Sequence, residues 1–185
     1  MKSKKTANKL QIDTVIKNLE KRNMKGYYCE DKEAACQLVL SMIEDKSTIS
    51  WGGSVTLNTI GVKDRLAERD VKIIDPYTTT DRAESIERRR QGLLSDYFLM
   101  SANAITMDGE LVNVDGTSNR VAGLCFGPKN VIVVAGANKL VKGLDDALAR
   151  IKVNAAVPNS VRLKRNTPCA ITGVCNDCLT KGCIC

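Results

Sequence analysis

The chain has 185 residues, is 43% hydrophobic but only 4% aromatic, and carries a formal net charge of +7. That length suits one domain with a real core, and the composition describes an aliphatic α/β interior rather than a disordered or fibrous chain. Histidine is absent, which excludes Ser-His and Cys-His catalytic pairs, imidazole-ligated zinc and histidine acid/base chemistry; no apolar run approaches the ~18–20 residues that a membrane helix needs.

The basic opening, MKSKKTANKLQ, has no apolar segment behind it, so it does not read as a secretory signal and the chain is expected in the cytoplasm. Over residues 6–23, Leu10, Ile12, Val15, Ile16 and Leu19 recur at helical spacing and predict an amphipathic helix. Residues 26–29 read as a short strand. Asp31 is placed to cap a helix over 32–43 that buries Ala35, Leu38, Val39 and Met42, with Cys29 and Cys36 as small buried hydrophobes. A brief strand over 47–51 runs into Gly52, Gly53 and Ser54, then a helical pattern through Leu66. A strand, two glycines, a hydroxyl and a helix start form an anion-holding arrangement: the glycines let the backbone approach, and unpaired amides face the ligand. The same residues also serve as a plain turn with Ser54 as helix cap. Trp51, the sole tryptophan, reads as core.

A strand over 71–75 ends at Asp75-Pro76, and a helix from about 80 to 94 starts with Thr80 or Asp81 at its cap. Its Arg88–Arg90 run reads as a solvated face, with Glu84 supporting Arg88 at i,i+4. Residues 97–100 lead into strands over 102–106 and 110–114, joined at Asp108-Gly109 as a hairpin. After Asp115-Gly116, Thr117 and Ser118 are candidates to cap a helix over 119–126. The β-branched run 131–134 has the character of a strand buried on both faces. A helix from 143 or 144 to 150 uses Leu144, Ala147, Leu148 and Ile151; residues 155–158 extend or end it, and from Val161 the pattern dissolves. The expected organisation is a single α/β domain over 1–165 and a cysteine-rich tail over 166–185.

Strands alternating with helices imply a mostly parallel sheet, whose ligands bind beyond the carboxyl ends of the strands. There the chain places Gly52, Gly53, Ser54, Asn103, Asp115, Gly116, Thr117, Asn119, Arg120, Gly136, Asn138 and Lys139 as candidate ligand residues. Arg120 and Lys139 would neutralise an anion; Asn103, Asp115 and Asn119 would orient it. Asp115 is the one acid/base candidate. Arg120 has an alternative role as a stabilising partner of Asp115 or Glu110. The positive charge points to an anionic partner or to solubility alone, and the few aromatics leave little for base stacking, so nucleic acid is not expected.

Eight cysteines without a signal peptide point to a reducing compartment, where clustered thiols bind metal more often than they pair. Cys169, Cys175, Cys178, Cys183 and Cys185 follow a C-x5-C-x2-C-x4-C-x-C pattern. Thiolates at Cys169, Cys175, Cys178 and Cys183 would suit zinc or an iron–sulfur cluster, the alternative being free thiols or disulfides on a loose tail.

The stretches WGGSVTLNTIG, RRRQGLLSDYFLMSANAITMDGELVNVDGTSNRVAGLCFGPKNVIVVAGANK and TPCAITGVCNDCLTKGCIC together resemble the LUD domain family, named for lactate utilisation and including lactate utilisation protein C. The resemblance covers about residues 21–183 and is nearest the stand-alone members with a C-terminal cysteine motif. It implies a three-layer α/β fold, a mostly parallel sheet flanked by helices, related to ribose-5-phosphate isomerase, glucosamine-6-phosphate deaminase and CoA transferases. It also implies a link to oxidation of lactate to pyruvate with iron–sulfur partner subunits. The chain lacks the ferredoxin-type cysteine run of such partners and a glutamate placed as a CoA-transferase nucleophile. The expected function is binding of a small anionic metabolite in a strand-edge cleft. The alternative is a non-catalytic subunit or redox- or metal-sensing regulator beside an iron–sulfur oxidoreductase; a homo-oligomer is compatible with either.

Overall fold

The computed structural model of the chain describes residues 2–175, 177, 182, 183 and 185. In chain order it begins with α1 (Lys2–Glu20), α2 (Lys32–Met42), β1 (Thr48–Trp51), α3 (Val55–Thr59), α4 (Val62–Ala67) and β2 (Lys72–Ile74). Next come α5 (Arg82–Gly92), β3 (Tyr97–Met100), β4 (Ala104–Thr106), β5 (Leu111–Val112), α6 (Asn119–Cys125) and β6 (Asn130–Val133). A 3-10 turn over Ala137–Lys139 precedes β7 (Leu140–Val141), α7 (Leu144–Arg150), a π-helical stretch over Ile151–Ala156, α8 (Val157–Arg162) and α9 (Pro168–Thr172). Two compact units result: the first is Met1–Tyr28, Ala102–Thr117 and Gly136–Cys185, the second Cys29–Ser101 and Ser118–Ala135.

The second unit is built on a four-stranded parallel sheet in the order β2-β1-β3-β6. Successive strand residues face opposite ways. Ile49, Trp51, Tyr97 and Leu99 therefore share one face and bury themselves against Cys36 and Val39 of α2, Leu57 of α3, and Val62 and Leu66 of α4. Ser50 and Phe98 take the other face, against Gly92 of α5 and Gly123 of α6. The sheet is thus the middle of three layers. Capping follows the local sequence: the Asp31 carboxylate accepts from Ala34 N, and that of Asp81 from Ala83 N.

The strand buried along its whole length is β3, in the interior of the sheet. By contrast β6, the predicted doubly buried run, is an edge strand and is only half-covered, because one neighbour cannot bury both its sides. Residues 26–29 form no strand, and Tyr27 and Tyr28 are exposed. The helix expected through Leu66 is two short helices, broken where Gly61 takes a left-handed φ of 71°. Ser118 does not cap α6 with its side chain; its backbone is itself left-handed, at φ 57°. Cys36 is buried as expected, whereas Cys29 is only partly covered; burial raises the thiol pKa of both.

Asp96 ties the amino ends of β1 and β6 together. Its carboxylate accepts from Thr48 N at 2.8 Å and Thr48 Oγ1 at 2.7 Å, and pairs with Lys129 Nζ at 2.7 Å. Lys129, followed by the Thr48 donors, holds the carboxyl well below the usual carboxylate range. A depressed folded value stabilises the fold above the unfolded pKa of about 3.9, and that contribution is lost as pH falls toward the folded value. Asp96→Asn should accordingly flatten the acid limb of a stability-versus-pH curve below about pH 4, read by urea midpoints.

In the first unit, β4 and β5 pair antiparallel about Asp108-Gly109, with Gly109 at φ 81°, and β4 pairs with β7 in parallel. The turn also receives α1. A methyl on Gly109 would lie 2.9 Å from backbone atoms of Asn18 and Leu19, while Asn18 Nδ2 donates to Met107 O at 2.9 Å. Residues 155–158 extend the helix of α7, through the π-helical stretch into α8. Beyond Val161, where no further element was expected, α9 forms: Pro168 sits in its first turn, and the Thr167 side chain caps it by accepting from Ala170 N.

Candidate functional site

In the second unit the chain leaves β1 for β2 on one side, then returns to β3 on the other. Strand order therefore reverses between β1 and β3, the place beyond the strand ends where open α/β sheets hold their ligands. Gly52, Gly53 and Ser54 form the first of these loops. Gly52 N donates to Leu99 O at 3.0 Å, so its amide is committed to the sheet. What Gly52 supplies is room: a methyl there would overlap Arg120 Cγ and lie 2.7 Å from Cδ. The Arg120 stem lies on that glycine, and Nη1 donates to Ser101 O, just past β3, at 3.0 Å.

Gly53 is exposed, and a Cβ on it would meet the Tyr77 hydroxyl at 3.0 Å. Among the described residues the N–H groups of Gly53 and Ser54 have no acceptor. Ser54 Oγ accepts from Leu57 N at 3.2 Å, the capping role, which still leaves its O–H able to donate. With α3 five residues long and α6 seven, helix dipoles add little, and the anion-binding capacity is that of the loop donors and the arginine. The second unit thus brings together Gly52, Gly53, Ser54 and Arg120, with Asn119 preceding Arg120 in α6.

The first unit holds Asn103, Asp115, Gly116, Thr117, Gly136, Asn138 and Lys139. Arg150, on α7, links two of their loops: Nη1 donates to Asn103 O at 2.6 Å and Nε to Asn138 O at 3.0 Å. Burial lowers the pKa of this guanidinium. The Asn103 side chain is committed locally, accepting from Val114 N at 2.9 Å. Asn138 Oδ1 lies where a methyl on Gly136 would come within 2.6 Å, and Lys139 N closes the turn on Gly136 O. Asp115 is half-buried, Gly116 and Thr117 exposed.

The LUD domain model matches residues 12–182. The chain belongs to the LUD domain family. No curated protein matches it. Among the described residues of this LUD domain protein, no helix is long and apolar enough to cross a membrane.

The matched span includes Cys169, Cys175 and Cys178 and ends before Cys183. Cys169 is buried, its Sγ 3.3 Å from Thr167 Oγ1 and 3.6 Å from Ser160 Oγ. Partial burial first, then Cys183, Cys175 and Cys169, pushes the Cys185 thiol up to about 11. Cys178 lies outside the described residues. Among those described, no three Cys, Asp or Glu side chains are arranged to hold a metal ion.

Neither Tyr77 nor Lys63 was singled out from the sequence. Lys63 Nζ lies 4.8 Å from the Trp51 ring centre and 5.7 Å from that of Tyr77, while Arg89 Cζ is 5.4 Å from Tyr77. A signal existed for Tyr77, since Asp75-Pro76-Tyr77 follows β2 at the same strand ends. Arg89 was read as solvated face.

Proposed function

We propose that this LUD domain protein binds a small carboxylate- or phosphate-bearing ligand at the strand ends of its second unit, and that it acts in lactate and pyruvate metabolism. The observation that carries this reading is the Gly53-Ser54 pair, whose amide donors stand uncommitted at the point where strand order reverses, beside an arginine laid on Gly52. The amides and the Ser54 O–H donate to the anion, and Arg120 compensates its charge. Lactate and pyruvate each offer such a carboxylate. The reading assigns binding and no bond-making step, and it rests on the second unit alone.

Arg120→Ala should weaken binding of lactate, pyruvate or inorganic phosphate by at least ~1 kcal/mol in calorimetry, about fivefold in Kd. Because Arg120 also holds Ser101 O, the urea midpoint of the variant is measured alongside. Unchanged affinity in a folded variant overturns the assignment. A thermal-shift screen with lactate, pyruvate, sugar phosphates and acyl-CoA selects the ligand, since a specific binder raises Tm by mass action.

A second reading rests on the C-x5-C-x2-C-x4-C spacing of Cys169, Cys175, Cys178 and Cys183. It makes the protein a non-catalytic subunit or regulator whose thiolates hold zinc or an iron–sulfur cluster and which meets an iron–sulfur oxidoreductase. Soft thiolate donors fit either group, and Cys169, Cys175, Cys178 and Cys183 would hold it. Metal analysis of anaerobically purified protein tests this: less than about half an equivalent of zinc and iron removes it, and a visible absorbance band selects the cluster.

A further inference from the structure

The strand-end site contains more positive charge than a single carboxylate requires. Lys63 and Arg89 both lie against the Tyr77 ring, and Lys63 also lies over Trp51. Among the described residues neither has a carboxylate within ion-pair distance. Asp75, the leading acidic influence on Lys63, has its Oδ1 accepting from Tyr77 N at 2.8 Å.

The cluster also has an excess of hydrogen-bond donors. Trp51 is 3% exposed, and its Nε1 is buried without an acceptor; Arg89 gives Nη1 to Ser85 Oγ at 2.8 Å, but its Nε is likewise buried and unpartnered. Buried donors in folded proteins are nearly always satisfied, so two in one cluster mark a place for an acceptor. Water would satisfy the donors but would give neither cation a direct ionic partner, since Asp75 and Asp64 act on Lys63 only from beyond ion-pair distance. An anionic, acceptor-rich group does both.

The position relates this cluster to the loop already described. Tyr77 meets Gly53, whereas the Arg120 stem lies on Gly52, the adjacent residue about 3.8 Å away along the chain. Cationic groups therefore occur on both flanks of the glycine pair. We infer that Lys63, Arg89 and Tyr77 form a second anion-binding pole, and that the ligand is a small metabolite with two anionic groups, one at Arg120 and one at this pole. The inference rests on the anion reading above and narrows its ligand class: lactate or pyruvate alone would fill only one pole.

Three related probes separate the cases: 3-phosphoglycerate carries both a carboxylate and a phosphate, whereas glycerate and glycerol 3-phosphate each carry one. In calorimetry 3-phosphoglycerate should bind at least about tenfold more tightly than either single-ended compound. It should also change the emission of Trp51, the only tryptophan, whose ring Lys63 covers. Lys63→Met should bring 3-phosphoglycerate down to the single-ended level and abolish the emission change; Arg89→Met does the same to affinity and serves if the first variant fails to fold, as judged by circular dichroism. Equal binding of all three probes, or full affinity in both folded variants, overturns the second pole. If the single-ended compounds bind and depend on Arg120 while Lys63→Met and Arg89→Met change nothing, the anion reading stands and the second pole falls. If none of the probes binds, both fall.

Discussion

Phe98→Ala is expected to lower the unfolding free energy by about 3–5 kcal/mol, the cost of removing a large buried ring from a core that relaxes only partly. Phe98 is 2% exposed in the interior strand β3. Its ring is pressed against the α6 backbone: a methyl on Gly123 would lie 3.0–3.3 Å from three ring carbons. So close a fit exists only because Gly123 has no side chain, and the void left by alanine would face a helix already at contact distance. Urea denaturation should show a lower midpoint at unchanged m. A loss below about 1 kcal/mol would mean that this second face is not close-packed. A functional consequence follows through α6, which carries Arg120: loosening the helix should weaken anion binding along with stability.

Gly52→Val should reduce anion affinity by about tenfold or more and cost roughly 1–3 kcal/mol of stability through overpacking. Gly52 is buried, and a side chain would drive into Arg120 Cγ and Cδ, near the root of that side chain rather than its mobile end. The arginine must then leave both the glycine and Ser101 O. Gly53→Ala provides the contrast. Its methyl meets only the hydroxyl end of Tyr77, at 3.0 Å, on an exposed residue that can swing aside. Gly53→Ala should therefore change stability by less than about 0.5 kcal/mol, so equal effects of the two substitutions would show that Arg120 is not held by Gly52.

Residues acting over a few positions were legible. Asp31 and Asp81 cap the helices they precede, Ser54 has the capping role weighed for it, and Asp108-Gly109 turns a hairpin. Local patterns misled where neighbours decide the outcome. The β-branched run of β6 suggested burial on both faces, yet an edge position leaves it half-covered. The two Pro residues at the chain's late helices show the same limit in reverse: Pro158 lies in the first turn of α8 and Pro168 in that of α9, positions that proline tolerates, so neither ended helical structure.

The sequence by itself determined the α/β class, most element positions and the family, and named Gly52, Gly53, Ser54 and Arg120 as anion-binding candidates, because these depend on periodicity, capping and side-chain chemistry within short stretches. Only the tertiary structure decided which glycines make room and for what: Gly52 for Arg120, Gly92 for Ser50, Gly123 for Phe98. It alone also gathered Trp51, Lys63, Tyr77 and Arg89 into one cluster. The physical reason is strand order. Placing β2 beside β1, and β3 on the other side, is a long-range pairing chosen by burial over the whole sheet, and no spacing within any one segment carries it.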